Sequence, residues 1–394
     1  RQMWRRDRNG ANEVVDQVTY RRGFPWPTVG DPPGYSIELV NPAFDNELGG
    51  NWRASVRTAP PAHGPTPGAR NSVFATNLPP AIRQVKHQPS QPVSGQPVVI
   101  SAKVTDPQGV VSVSLLYQFV EPGNYIELTD AAYTNTWTSL PLNDAGVNGD
   151  EQAGDHVYTV VLPGTWQTHR RLVRYRIQAK DGTGAIVTVP YADDPQPNFA
   201  YFCYDGVPAW RGAVQPGVTP MLDFDTSVMR RLPVVHLLSK SNSVVRATWF
   251  DRYRGDEYRW LGTLVYDGKV YDHIRYRARG GVHRYKMVKN MWKFAFNRGH
   301  DFQMRDDYGR PYSTPWRKLN LGACIQQGDY GHRGEQGMFE SVGFRLFNLA
   351  GVPSPKTTFL QSRIISTDFE ARPHTQYEGD FLSLIHISEP TRPY

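Results

Sequence analysis

Val98-Val99-Ile100-Ser101-Ala102-Lys103-Val104-Thr105 alternates, with Val98, Ile100, Ala102 and Val104 on one side. A period of two is the pattern of a strand with one buried face. It recurs in Val111, Val113, Leu115, Tyr117 and Phe119, and in Val157, Thr159 and Val161. It returns in Val173, Tyr175, Ile177 and Ala179, just before the turn Asp181-Gly182-Thr183-Gly184. Several short strands divided by turn residues predict a β-sandwich over residues 81–203. Such a module reads as a spacer or adhesion unit, and nothing in its sequence looks catalytic.

Working outward, 394 residues allow two or three domains. The 35 Gly and 32 Pro, with 21 Tyr and 10 Trp, favour strands and turns over long helices. No apolar run approaches the roughly 18 residues that span a bilayer, so no transmembrane segment is expected in this chain. The formal charge of +7 suits an acidic or phosphate-bearing partner, and equally a basic surface without a ligand. No nucleic-acid partner is expected. Cys203 and Cys324 form no metal-binding spacing, and the sequence leaves open whether they pair.

Residues 1–58 hold a strand-like run, Glu13–Tyr20, and a second, Tyr35–Val40, around Phe24-Pro25-Trp26-Pro27. With Ser36-Ile37-Glu38-Leu39 and Asn51-Trp52, this segment resembles the C-terminal half of a lamin-tail domain, a small immunoglobulin-like sandwich. Residues 59–80 are rich in Pro, Gly and Ala and read as a stiff solvated linker. Residues 204–232 read as a second linker. The chain opens at Arg1 without a signal peptide, which is expected to lie upstream in the parent protein. At the other end, Leu382–Arg392 spells the translation of a sequencing-library transposon end. Residues 382–394 are therefore expected to be an adapter artefact and play no part in the fold reading.

One loop of the sandwich is a candidate calcium site. Asp144, Asn148, Gly149 and Asp155 occupy positions 1, 5, 6 and 12 of a twelve-residue calcium loop, with Asp150 and Glu151 inside it. Hard cations take oxygen ligands of this kind. The same residues also serve an acidic hairpin that only needs Asp, Asn and Gly for its turns.

From residue 233 the pattern changes. Pro233–Leu237 reads as a buried strand, and Leu264–Tyr271 as a hairpin turning at Asp267-Gly268. Ile274–Gly281 and Trp292–Asn297 follow. Between Lys269 and His300 stand nine Lys or Arg and a single acid, Asp272. A Gly-bearing loop between two strands, lined with cations, suits a polyphosphate. Periodicity then predicts a helix over 335–350, with Met338, Phe339, Val342, Leu346 and Leu349 on its buried stripe. Asp306-Asp307 sit beside Tyr308-Gly309 and read as a solvated turn.

The ordered set Ile274–Gly280, Lys289–Phe296, Leu319-Asn320-Leu321, Asp329, Gly351–Pro355, Phe359–Ile364 and Glu378-Gly379-Asp380 resembles the start of a CotH kinase domain. The likeness spans residues 233–381, about the first half of that domain. It implies an atypical Ser/Thr kinase using ATP and Mg²⁺ on a cell-surface or coat protein, in the secreted or cell-envelope space. ATP phosphates would meet Arg279, Gly280, Gly281 and either Lys289 or Lys293. Glu335 would pair with that lysine, or serve merely as a first-turn acid favoured by the helix dipole. The metal-holding acids are expected beyond the C-terminus, so this chain alone is not expected to catalyse. The fold expected is mainly β plus α+β: a truncated lamin-tail sandwich, an Ig-like sandwich, and the N-terminal half of a kinase-like α+β domain. The rival reading is a non-catalytic surface adhesion or scaffold protein, as CotH-like proteins also act as surface ligands.

Overall fold

The computed structural model describes residues 3–28, 35–56, 65–212, 220–248, 258–279, 291–322, 339–368 and 383–388. The protein is mainly β, with several sheets.

The N-terminal segment forms two hairpins, β1 (Met3–Arg8) with β2 (Val14–Tyr20) and β3 (Ile37–Leu39) with β4 (Trp52–Ala54). It rests on the sandwich. Phe24 meets Phe199 edge-on at 5.2 Å, and the Arg53 guanidinium lies 4.8 Å above the Tyr191 ring. Part of the expected linker is laced down as well. Glu38 is buried and accepts hydrogen bonds from the Ser72 amide, 2.8 Å, the Ser72 hydroxyl, 2.7 Å, and the Thr66 hydroxyl, 2.9 Å. Burial raises the pKa of that carboxyl, and these donors together bring it below its ordinary value.

Strands β5 (Ala81–Gln88), β6 (Val98–Thr105) and β9 (Val157–Leu162) make one sheet of the sandwich. The other holds β7 (Val110–Val120), β8 (Thr138–Leu142), β10 (Leu172–Asp181), β11 (Ile186–Val189) and β12 (Phe199–Phe202). A short helix, α1 (Ala131–Asn135), precedes β8. Val98, Ile100, Ala102 and Val104 face Leu115, Tyr175 and Ile177 across the core, as alternation dictates. Val111 departs from the expected face and is exposed, because the β7–β10 register slips between Ser112 and Val110 and leaves Val111 as the extra residue of a bulge.

Residues 204–232 are more than a linker, for they carry a hairpin of β13 (Trp210–Gly212) and β14 (Leu222–Phe224) and a helical turn, α2 (Thr226–Met229). Trp210 stacks on Phe224 at 5.3 Å, and Asp225 caps α2 by accepting from the Val228 amide.

The last region is a closed barrel. Its strands are β15 (Val234–Leu238), β16 (Trp260–Tyr266), β17 (Lys269–Arg279), β18 (Met291–Ala295), β19 (Lys318–Gly322), β20 (Phe359–Ile365) and β21 (Ser383–Ser388). They close in the order β15-β16-β17-β18-β19-β21-β20, with β15 parallel to β20 and the other pairs antiparallel. Helix α3 (Ser241–Thr248) follows β15, and α4 (Phe339–Leu349) precedes β20. Residues 383–388, excluded from the sequence reading, pair with both β19 and β20. A short extended segment supplies the backbone donors and acceptors that two open edges lack, whatever its origin.

Of the expected buried stripe of the last helix, Met338 and the Phe339 side chain lie outside the described residues, and the other three members are not buried. Val342, Leu346 and Leu349 are 44%, 61% and 78% exposed. The barrel core is filled by strand side chains together with Ala247 of α3 and Phe296, Phe302, Met304 and Trp316 from the chain around the β18–β19 connection, and among the described residues no side chain of α4 joins it.

Candidate functional site

Strands β17, β18 and β19 bring the basic residues onto one surface. Arg277 is the cross-strand partner of Lys293, which in turn opposes Asn320. One step along, Arg275 opposes Ala295 and then Lys318. Directly opposed residues share a face, so Arg275, Arg277, Arg279, Lys293 and Lys318 form a stripe on the outside of the barrel. The alternate positions Tyr276, Ala278, Trp292, Phe294, Leu319 and Leu321 are buried inside. Tyr276 lies 5.8 Å from Trp292 and 6.4 Å from Phe294, a rigid aromatic floor beneath the cations.

Of the residues expected to meet phosphate, Arg279 is exposed and Lys293 half-buried on this stripe. Gly280, Gly281, Lys289 and Glu335 lie outside the described residues, as does Cys324. Cys203 is buried, and burial pushes its thiol up to about 11. Asp306 and Asp307 do form a turn: Asp306 pairs with Arg310 at 2.9 Å, while Asp307 is held by the Thr358 hydroxyl and by Arg345 at 3.4 Å.

In the sandwich, Asp144, Asp150 and Asp155 each offer an oxygen within 4.8 Å of the others. Asn148 lies in the same loop. It adopts a left-handed turn conformation, φ 53°, ahead of Gly149 at φ 92°. The carboxylates also serve the loop itself. Asp144 accepts from the Gly154 and His156 amides, 2.9 and 3.1 Å, Asp150 from Gly146, 2.7 Å, and Asp155 from Val157, 2.8 Å. Spare lone pairs on three clustered carboxylates are a donor set that suits a hard cation such as Ca²⁺.

A cleft of about 660 Å³ opens where sandwich, hairpin segment and barrel meet, with Tyr204, His236, Tyr266 and Thr358 in its walls. Arg305 there is held by Asp267 at 2.5 Å and Arg230 by the Asp205 carbonyl at 2.9 Å. Both guanidinium groups are thus matched within the cleft.

The residues that sequence reading missed lie between the sandwich and the barrel. Arg174 of β10 and Asp272 of β17 are both wholly buried and pair through two hydrogen bonds, 2.7 and 3.0 Å. The available signal was Asp272 itself, the lone acid among nine cations between Lys269 and His300.

No family model matches the chain, and no curated protein matches it. Among solved structures it is similar to a cycloalternan-degrading enzyme from Trueperella pyogenes, in complex with cycloalternan. The identity is 10%, over 53% of this chain and 30% of that one, and the TM-score is 0.20. A likeness that slight says nothing about activity.

Proposed function

We propose that this chain is part of a secreted or cell-surface CotH-like protein whose basic stripe binds phosphate groups. The parent would transfer phosphate from ATP to Ser or Thr of surface or coat proteins. One observation carries the reading: the register sets Arg277 opposite Lys293 across β17 and β18, with Arg275, Arg279 and Lys318 on the same outer face. The paired backbone fixes the spacing of these cations, so a phosphate can meet several of them at once. Bound Mg²⁺ would supply further neutralisation of the phosphates, and Arg277, Arg279 and Lys293 are the residues placed to hold them.

Calorimetric titration of the chain with ATP at low and high salt tests this. Binding should weaken steeply with salt, and Lys293→Ala or Arg277→Ala should each weaken it about tenfold, ~1.4 kcal/mol. Absence of binding at low salt, or variants that bind as tightly as the parent sequence, would overturn it. Preference for an acidic polymer over ATP at the same residues would favour an adhesion role.

The Asp144–Asp155 loop supports a second binding element, for Ca²⁺, in which Asp144, Asp150 and Asp155 supply the protein oxygens. Its role would be to stiffen the sandwich.

A further inference from the structure

The pairing of β16 with β17 slips between Gly262 and Leu264, so that Thr263 alone stands opposite Asp272 and His273. This is a β-bulge, and His273 adopts a left-handed conformation there, φ 52°. A bulge leaves ladder groups without partners and redirects a side chain. Here it sends Asp272 off the barrel and against the sandwich.

The sandwich completes what the bulge leaves open. Gln196 Oε1 accepts from the Asp272 amide at 2.9 Å, and Asn198 Nδ2 donates to the Asp272 carboxylate at 2.9 Å. Arg174 binds both carboxylate oxygens. Its remaining Nη1 donates to the Ile126 carbonyl at 2.8 Å, again within the sandwich. From the barrel side, the Thr263 hydroxyl donates to Asp272 at 2.5 Å, and Asn297 donates to the Asp272 and His273 carbonyls at 3.0 and 3.1 Å. Around this polar centre, Val120, Tyr125, Leu172 and Phe202 of the sandwich share one apolar cluster with Val265 and Val270 of the barrel.

We propose that sandwich and barrel form an obligate pair, in which Arg174 clamps the Asp272–His273 bulge and so sets the course of the strand that carries Arg275, Arg277 and Arg279. A charge inside each half is buried only because the other half neutralises it. Separated, Arg174 would sit in an apolar patch and the bulge would lose its amide partner. The sandwich is thus a structural part of the barrel domain and not a spacer. The clamp stands on geometry alone, whether or not the stripe binds phosphate.

Calorimetry and amide hydrogen exchange on the full chain test the clamp. The unchanged protein should melt sandwich and barrel in one transition. Arg174→Met should split that transition and speed exchange at the bulge, residues 263–274, by roughly 100-fold or more, as loss of one partner of a buried pair implies. Amides of β6 should be little affected. If Arg174→Met yields no folded protein, Arg174→Met with Asp272→Leu removes both charges and should restore a single transition. Separate melting of the two regions in the unchanged protein would overturn the clamp. So would unaltered exchange at the bulge in Arg174→Met, or a double variant as damaged as the single one.

Discussion

Arg174 Nε lies 2.7 Å from Asp272 Oδ2, and neither side chain has any exposed surface. The two residues are 98 positions apart in the chain and belong to different sheets. Asp272 is held ionised, far below the usual carboxylate range: burial opposes that charge, but Arg174, His273 and the Thr263 hydroxyl together outweigh it.

His273 makes the pair sensitive to acid. Burial lowers its pKa to about 4; Asp272 acts against that shift, while Arg174, Arg176 and His300 add to it. The unfolded chain takes up this proton near pH 6.5 and the folded chain only near pH 4. Stability from His273 is therefore complete above pH 6.5 and falls as the pH drops towards 4, by at most about 1.4 kcal/mol per unit. His273→Asn should flatten that slope, since Asn tolerates the left-handed backbone without titrating. His87, whose pKa burial also lowers, contributes the same sign in both proteins. Urea denaturation across this pH range checks it, and identical slopes would refute the assignment.

Calcium should raise the melting temperature of the chain, and a chelator should lower it. At a hundredfold excess over the dissociation constant the gain is about 2.7 kcal/mol. Asp150→Asn should abolish the response, since Asp150 is the most buried of the three carboxylates. A melting curve indifferent to calcium and chelator would leave the loop as a hydrogen-bonded hairpin alone.

Two glycines of that loop should differ in their tolerance of a side chain. Both have positive φ, 92° at Gly149 and 76° at Gly154. A Cβ on Gly149 would approach Val161 Cγ2 to 2.5 Å, whereas one on Gly154 meets nothing within 4 Å. Gly154→Ala should cost about 1 kcal/mol from backbone strain, and Gly149→Ala should cost 1–3 kcal/mol more as Val161 is pushed aside. Chemical denaturation of the two variants compares them directly, and equal losses would show that Val161 yields freely.

The strands were legible because alternation is local: Val98, Ile100, Ala102 and Val104 name their own buried face. The basic character of residues 269–300 was equally plain, and β17 and β18 needed only their register to turn it into a stripe. The helix stripe of Val342, Leu346 and Leu349 misled, since periodicity reveals that a face is apolar but not that anything covers it.

By itself, then, the sequence determined which segments become strands and where positive charge gathers, both being properties of neighbouring residues. Tertiary structure alone decided that Asp272 leaves the barrel to meet Arg174. A bulge in one sheet aims the acid, and a strand in another receives it, so the pairing exists only once both sheets have formed and excluded water between them.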